Sequence, residues 1–161
     1  MHIWLPQRSP NYDDREKPSF ATMDLSESLQ GKGSYCLILL VSRPANLIIG
    51  KLGRFRFAAG YYAYVGSAFG PGGLAARLRY HLKKAKRPHW HIDYLRNKSR
   101  IVGIWHDGQK VEHLWAESFG RLPGAQKPVK GFGCSDCRCF THLFYFAGKP
   151  SLIEFKRLVG D

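Results

Sequence analysis

A chain of 161 residues with 44% hydrophobic side chains has material for one compact domain with a core, and too little for a second. It carries 25 Lys and Arg against 12 Asp and Glu, a net charge of +13. Residues 1–30 hold three of the basic and five of the acidic side chains, so the remainder sits near +15, a surplus that sets aside acidic-surface classes and attracts a polyanion by counterion release.

Residues 1–31 mix Pro, Ser, Asp and Gln with apolar side chains at no steady period, the composition of a disordered leader, and place the folded domain at residues 32–161. From Tyr35 the run Tyr-Cys-Leu-Ile-Leu-Leu-Val is short and apolar throughout and reads as a buried strand. A Ser-Arg-Pro-Ala turn follows, and residues 46–51 read as the hairpin partner of that strand. Arg54-Phe55-Arg56-Phe57 alternates with period two, and residues 61–66 form another aromatic strand. Gly70-Pro71-Gly72-Gly73 breaks the pattern. Leu74, Leu78, Leu82 and Ala85 then mark the core stripe of a helix that Pro88 ends, with Arg77, His81 and Lys84 on the face beside it. Residues 89–97 read as a short helix, 101–105 as a strand, 111–119 as a helix, 142–146 as an apolar strand and 151–159 as a closing helix. The expected class is α+β, a small central mixed or antiparallel β-sheet flanked by helices.

No apolar run approaches the roughly 18 residues of a membrane span, and the start lacks a charged region leading into an apolar one. No membrane partner is expected, and a cytoplasmic location is. Three of the four cysteines fall at 134, 137 and 139, spacings that suit a reducing compartment better than a disulfide framework.

Three short motifs stand in order: Gly33-Ser34-Tyr35, Tyr64-Val65-Gly66 and Leu74-Ala75-Ala76-Arg77-Leu78. They put two phenols and a guanidinium where a strand pair and the next helix aim them at one phosphodiester. Taken singly, the tyrosines read as half-buried core phenols, Arg77 as one phosphate clamp among many, and His81 as structural. The three motifs in this order resemble the opening of the GIY-YIG nuclease superfamily. Gly-Tyr-Tyr-Ala-Tyr-Val-Gly-Ser-Ala, His-Trp-His-Ile-Asp-Tyr-Leu and Gly-Phe-Gly-Cys-Ser-Asp-Cys-Arg-Cys-Phe-Thr-His-Leu resemble its Uri-like endonuclease branch, over about residues 31–148.

The resemblance implies a divalent-metal-dependent endonuclease that hydrolyses phosphodiester bonds in DNA, in repair or mobile-element processing. On its pattern Tyr35 and Tyr64 match the motif tyrosines, Arg77 the helix arginine that meets the scissile phosphate, and His81 a position often held by tyrosine. Glu112, with Trp115 three residues on, matches the glutamate that holds Mg²⁺ or Mn²⁺, with Glu117 as the fallback. Many relatives carry a lysine after the second motif. This chain has Ser67, as the Uri-like branch commonly does, and Lys51, Arg79 and Lys83 are cations that could take the lost role.

The chemistry of the residues agrees. Phosphodiester hydrolysis needs an activated water, a cation for the developing charge and a held phosphate, and Mg²⁺ often binds through one or two carboxylates while keeping several waters. Beyond residue 30 there are only three glutamates, Glu112, Glu117 and Glu154, so a carboxylate-poor site is forced. A phenol near pKa 10 acts as a base only if neighbouring cations stabilise its anion, whereas a histidine near 6.5 is intrinsically the easier base. Tyr35, Tyr64 and His81 all stay candidates. Lys84 and His89 extend the nucleic-acid-binding set, and His89 with Asp93 shares one helical face, for a metal or substrate phosphates, the alternative being that His91 and Asp93 cap the helix or hold it to the sheet by hydrogen bonds. Glu112 near a helix start also has a plain reading, as favourable charge at the helix dipole.

Cys134, Cys137, Cys139 and His142 offer four ligands that tetrahedral zinc accepts, at a spacing tight enough to strain three thiolates around one ion. Buried thiols are the plain alternative, and Asp136 and His142 are candidates to border the groove. Two rival functions come from other classes: a nucleic-acid-binding module without catalysis, and a zinc-stabilised adaptor for a repair partner. RNA is the alternative substrate to DNA.

Overall fold

The computed structural model describes residues 1–4, 29–83 and 87–160, with the backbone alone for residues 2–4. Most of the expected leader (residues 5–28) and Lys84 lie outside the described residues.

The centre of the fold is β2 (Ser34–Val41), flanked by β5 (Gly60–Ser67) and β6 (Arg100–Asp107). With β7 (Leu143–Phe146) beside β5 and β1 (His2–Trp4) beside β6, these strands form a five-stranded antiparallel sheet in the order β1-β6-β2-β5-β7. Thus the start of the chain, expected within the leader, pairs at the sheet edge through His2↔His106 and Trp4↔Ile104. Beyond Ser34, β2 carries no charged or amide side chain because both of its faces are covered. Tyr35, Leu37, Leu39 and Val41 point into one core cluster, with Leu74, Leu78, Ile92 and Leu95. Cys36 and Ile38 point into the other, with Trp105, Phe119, Phe144 and Phe155. The first cluster is roofed by α1 (Gly73–Leu82) and α2 (His91–Arg96), the second by α3 (Glu112–Arg121) and α4 (Leu152–Val159). This is the α+β arrangement expected, and every pairing in the sheet is antiparallel.

One connection differs from the expectation. The partner of β2 across the hairpin is not residues 46–51 but β5, in the register Ser34↔Ser67 through Val41↔Gly60. β3 (Ala45–Ile49) pairs instead with β4 (Gly53–Phe57) as a separate two-stranded ribbon. The reason is patterning. β3 and β4 alternate exposed and covered side chains and suit a ribbon with one wet face, whereas β5 is buried at five successive positions and matches β2.

Glycine in the two tyrosine motifs has a steric role. In the sheet Gly66 lies opposite Tyr35, and a Cβ there would fall 2.9 Å from Tyr35 Cε1 and closer still to Cζ and Oη. A Cβ at Gly33 would overlap the Asp107 carbonyl oxygen. Both positions need hydrogen in place of a side chain, so the phenol can lie flat across the neighbouring strand.

Candidate active site

At the end of the sheet where β2 begins and β5 finishes, the loops leading into α1, α3 and β7 surround a cavity of about 560 Å³. Tyr35 and Tyr64 enter it from paired strands, Arg77 from α1, and Glu112 from the first turn of α3. Four side chains separated by up to 77 positions thus share one wall.

The two phenol rings lie 6.4 Å apart, and both are buried. Burial, followed by the neighbouring Tyr64 phenol, pushes Tyr35 well above the usual tyrosine range, and Arg77 draws it back in part. Burial likewise raises Tyr64, opposed chiefly by Arg77. Each is therefore a neutral phenol at pH 7, fit to donate a hydrogen bond. His81 is 1% exposed and stands behind Tyr35, outside the cavity wall, with Nε2 2.7 Å from Tyr35 Oη. Its reach into the site runs through that phenol.

Arg77 is held by an aromatic face, its Cζ 4.1 Å from the Trp90 ring centroid. Trp90 is fixed in turn by Tyr80, 4.7 Å away, and by its backbone N–H donating to Asp93 Oδ2 at 3.0 Å. Asp93 is fully buried and also accepts from Tyr80 Oη (2.8 Å) and the His89 N–H (2.9 Å). Of the two roles open to Asp93, the hydrogen bonds give the structural one: it caps α2. His89 and His91 line the cavity, and His91 Nδ1 accepts from the Gly133 N–H at 3.1 Å. Burial lowers the His91 pKa from its ordinary value.

Glu112 is 7% exposed and packs beside the first motif, where Ser34 Oγ lies 3.1 Å from its Oε2 and 2.9 Å from the Gln109 carbonyl, two acceptors that share one hydroxyl proton. The same hydroxyl accepts from the Val111 N–H at 2.9 Å, so the strand that carries Tyr35 also sets the start of α3. Glu117, the fallback, is exposed and ion-paired with Arg121 on the outer face. Glu112, which is buried, and Asp136 are the carboxylates lining the cavity, oxygen donors of the kind a hard divalent ion takes.

The expected nucleic-acid contacts divide. Ser67 and His89 line the cavity; Lys51, Arg79 and Lys83 are exposed and lie away from its wall. Lys110 and Asp136 line it too, and of these Lys110 was invisible in the motifs.

The cysteine cluster also divides. His113, Cys137, Cys139 and His142 place one ligand atom each within 4.8 Å of one another, a group that could hold a metal ion. Cys134, expected among the ligands, is outside this group, with its Sγ donating to the Phe132 carbonyl at 3.5 Å. Burial, with the Cys137 thiol beside it, pushes the Cys134 thiol up to about 12. Among the described residues no helix is long and apolar enough to cross a membrane.

Neither a curated protein nor a solved structure matches the chain. A family model described as a domain of unknown function, DUF123, matches residues 34–159, a span that includes every residue lining the cavity. The chain belongs to the DUF123 family.

Proposed function

We propose that the cavity hydrolyses phosphodiester bonds in DNA, as a divalent-metal-dependent endonuclease. The observation that carries this reading is the convergence of Tyr35, Tyr64, Arg77 and Glu112 on one wall, in a described domain whose charge favours a polyanion.

Arg77 receives the scissile phosphate, its guanidinium aimed by Trp90 and free to form paired hydrogen bonds to two phosphate oxygens. Tyr64 donates its phenolic proton to a phosphate oxygen or to water. In the tautomer that leaves His81 Nε2 bare, Tyr35 Oη donates to it and accepts a hydrogen bond from the attacking water on its cavity side. As that water loses its proton to Tyr35, the phenol proton moves to His81, so no isolated phenolate has to form in the buried wall. Glu112, beside the Ser34 hydroxyl, would bind Mg²⁺ or Mn²⁺, with Asp136 the other carboxylate of the cavity. When bound, such an ion supplies positive charge to the developing phosphorane and acidifies a coordinated water.

The test is cleavage of end-labelled single-stranded, duplex and branched DNA, and of RNA, with Mg²⁺ or Mn²⁺. The native chain should cut DNA. Arg77→Ala and Glu112→Gln should each lose about 10²–10³ in rate, the usual cost of removing one group that stabilises transition-state charge. Tight DNA binding with no cleavage under either metal would replace this reading with a non-catalytic binding module.

A further inference from the structure

The tight run of Cys134, Cys137, Cys139 and His142 strains one tetrahedron if all three thiols are used. The fold removes the strain by bringing in a side chain from elsewhere. His113, on the first turn of α3, joins Cys137, Cys139 and His142, with the four ligand atoms within 4.8 Å of one another. A tetrahedral zinc ion with bonds of about 2.3 Å to sulfur and about 2.0–2.1 Å to nitrogen spaces its ligands by roughly 3.3–3.8 Å. Closing the remaining gap takes about 1 Å, which side-chain rotation supplies, since His113 is exposed and both cysteines are partly so.

A second feature prepares one ligand. His142 Nδ1 lies 3.2 Å from the Val65 carbonyl, an acceptor only, so Nδ1 carries the proton and Nε2 is left bare. That bare Nε2 faces Cys137 Sγ at 3.4 Å. A backbone carbonyl that fixes the tautomer and turns the other ring nitrogen to the ligand position is the usual support of a metal-binding histidine. Two thiols with two imidazoles also select a softer ion than the carboxylates of the adjoining cavity, so the two sites would not compete for one metal.

We propose that His113, Cys137, Cys139 and His142 bind one zinc ion, which fastens the loop of residues 131–142 to the first turn of α3. Cys134 is not a ligand. Because His113 directly follows Glu112, the ion holds the helix turn that presents the cavity carboxylate. Zinc content is read without any cleavage assay, so this inference stands or falls apart from the nuclease reading.

The full chain, produced with zinc in the medium and freed of loosely held metal by dialysis against a mild chelator, is assayed by elemental analysis and after exchange with Co²⁺. The expected result is about one equivalent of zinc in the native chain and in Cys134→Ser, with the intense visible bands of tetrahedral thiolate-bound Co²⁺. Cys137→Ser and His113→Ala should each lose at least nine-tenths of the metal, and His113→Cys should regain it. His113 is exposed, so its variants report on binding even where Cys137→Ser fails to fold. A native chain that takes up no zinc overturns the proposal. So does loss of metal in Cys134→Ser with retention in His113→Ala.

Discussion

Replacing Gly66 by alanine tests how the second tyrosine motif serves the first. The new Cβ would sit 2.9 Å from Tyr35 Cε1 and nearer to Cζ and Oη, against an ordinary carbon contact of about 3.5–4.0 Å. The ring must retreat by about 1 Å. It is 2% exposed, and its Oη is 2.7 Å from His81 Nε2, so it has no direction of retreat that keeps that hydrogen bond. Overpacking of this kind costs about 1–3 kcal/mol and the buried hydrogen bond about 0.5–1.5 kcal/mol, or roughly 2–4 kcal/mol together. In a chain of this size that is a fall in Tm of roughly 4–16 °C. Differential scanning calorimetry reads the stability, and under the proposed nuclease function single-turnover cleavage reads the displaced phenol. The same substitution made in a Tyr35→Ala background should cost far less, because the ring it strikes is gone, and the double-mutant cycle isolates that coupling. A Tm within about 2 °C of native for Gly66→Ala, or strictly additive effects in the cycle, would refute the steric account of the motif.

Phe119, fully buried and stacked on Phe155 at 4.4 Å with Trp105 at 5.5 Å, anchors the cluster beneath α3 and α4. Phe119→Ala should cost about 3–5 kcal/mol in urea denaturation, and a loss under 1 kcal/mol would show that the site collapses freely. Burial lowers His91, so the unfolded chain binds that proton at a higher pH than the folded one. The stability that neutral His91 carries is whole above its unfolded value of about 6.5 and is lost as pH falls through that value toward the lower folded one. The Tm of the native chain should therefore drop more steeply between pH 7.5 and 5 than that of His91→Gln, and parallel curves would assign the acid sensitivity to other groups. With zinc at a hundredfold excess over its Kd, the proposed tetrad should add about 2.7 kcal/mol, so a strong chelator should lower Tm in the native chain and leave His113→Ala unmoved.

The elements of the domain were legible because their signals are local. Leu74 and Leu78 at helical spacing, the Gly-Pro-Gly-Gly break and the wholly apolar run from Tyr35 each depend on a few neighbouring residues, and each lies where the pattern put it. The pairing of β2 was misread because the nearest strand in sequence was taken as its partner. Whether a strand is buried on one face or both is the better guide. β3, wet on alternate residues, could not cover β2, and β5 could. The wall of the cavity was legible for a different reason: Tyr35 and Tyr64 sit on strands that pair directly in the sheet, and Arg77 sits on the helix that follows the second of them, so the three motifs meet at one end of that pair.

His113 shows where such reading stops. It has no motif of its own, and its neighbour Glu112 drew attention through the resemblance, while Cys134 matched the tight spacing of the cysteine run. Which of the two meets Cys137 and Cys139 depends on how a loop of residues 131–142 folds back on α3, and the cues for that are spread over the chain. Gly133, at φ +75°, lets the loop pass so close to β5 that a Cβ there would lie 3.1 Å from the side chains of both Tyr64 and His142. The Gly131 N–H donates to the Phe140 carbonyl at 2.7 Å, and the His142 N–H to the Phe132 carbonyl at 2.8 Å, closing the loop into a ring. That closure turns Cys134 toward the Phe132 carbonyl while His142 is held against β5 by Val65. The membership of this side-chain cluster is thus chosen by backbone hydrogen bonds between distant residues, which composition and spacing do not encode. The same bonds carry the consequence for function: a loop closed in this way presses His142 and His113 together beside Glu112, so the cavity and the thiol cluster share a wall, and a change in one should be felt in the other.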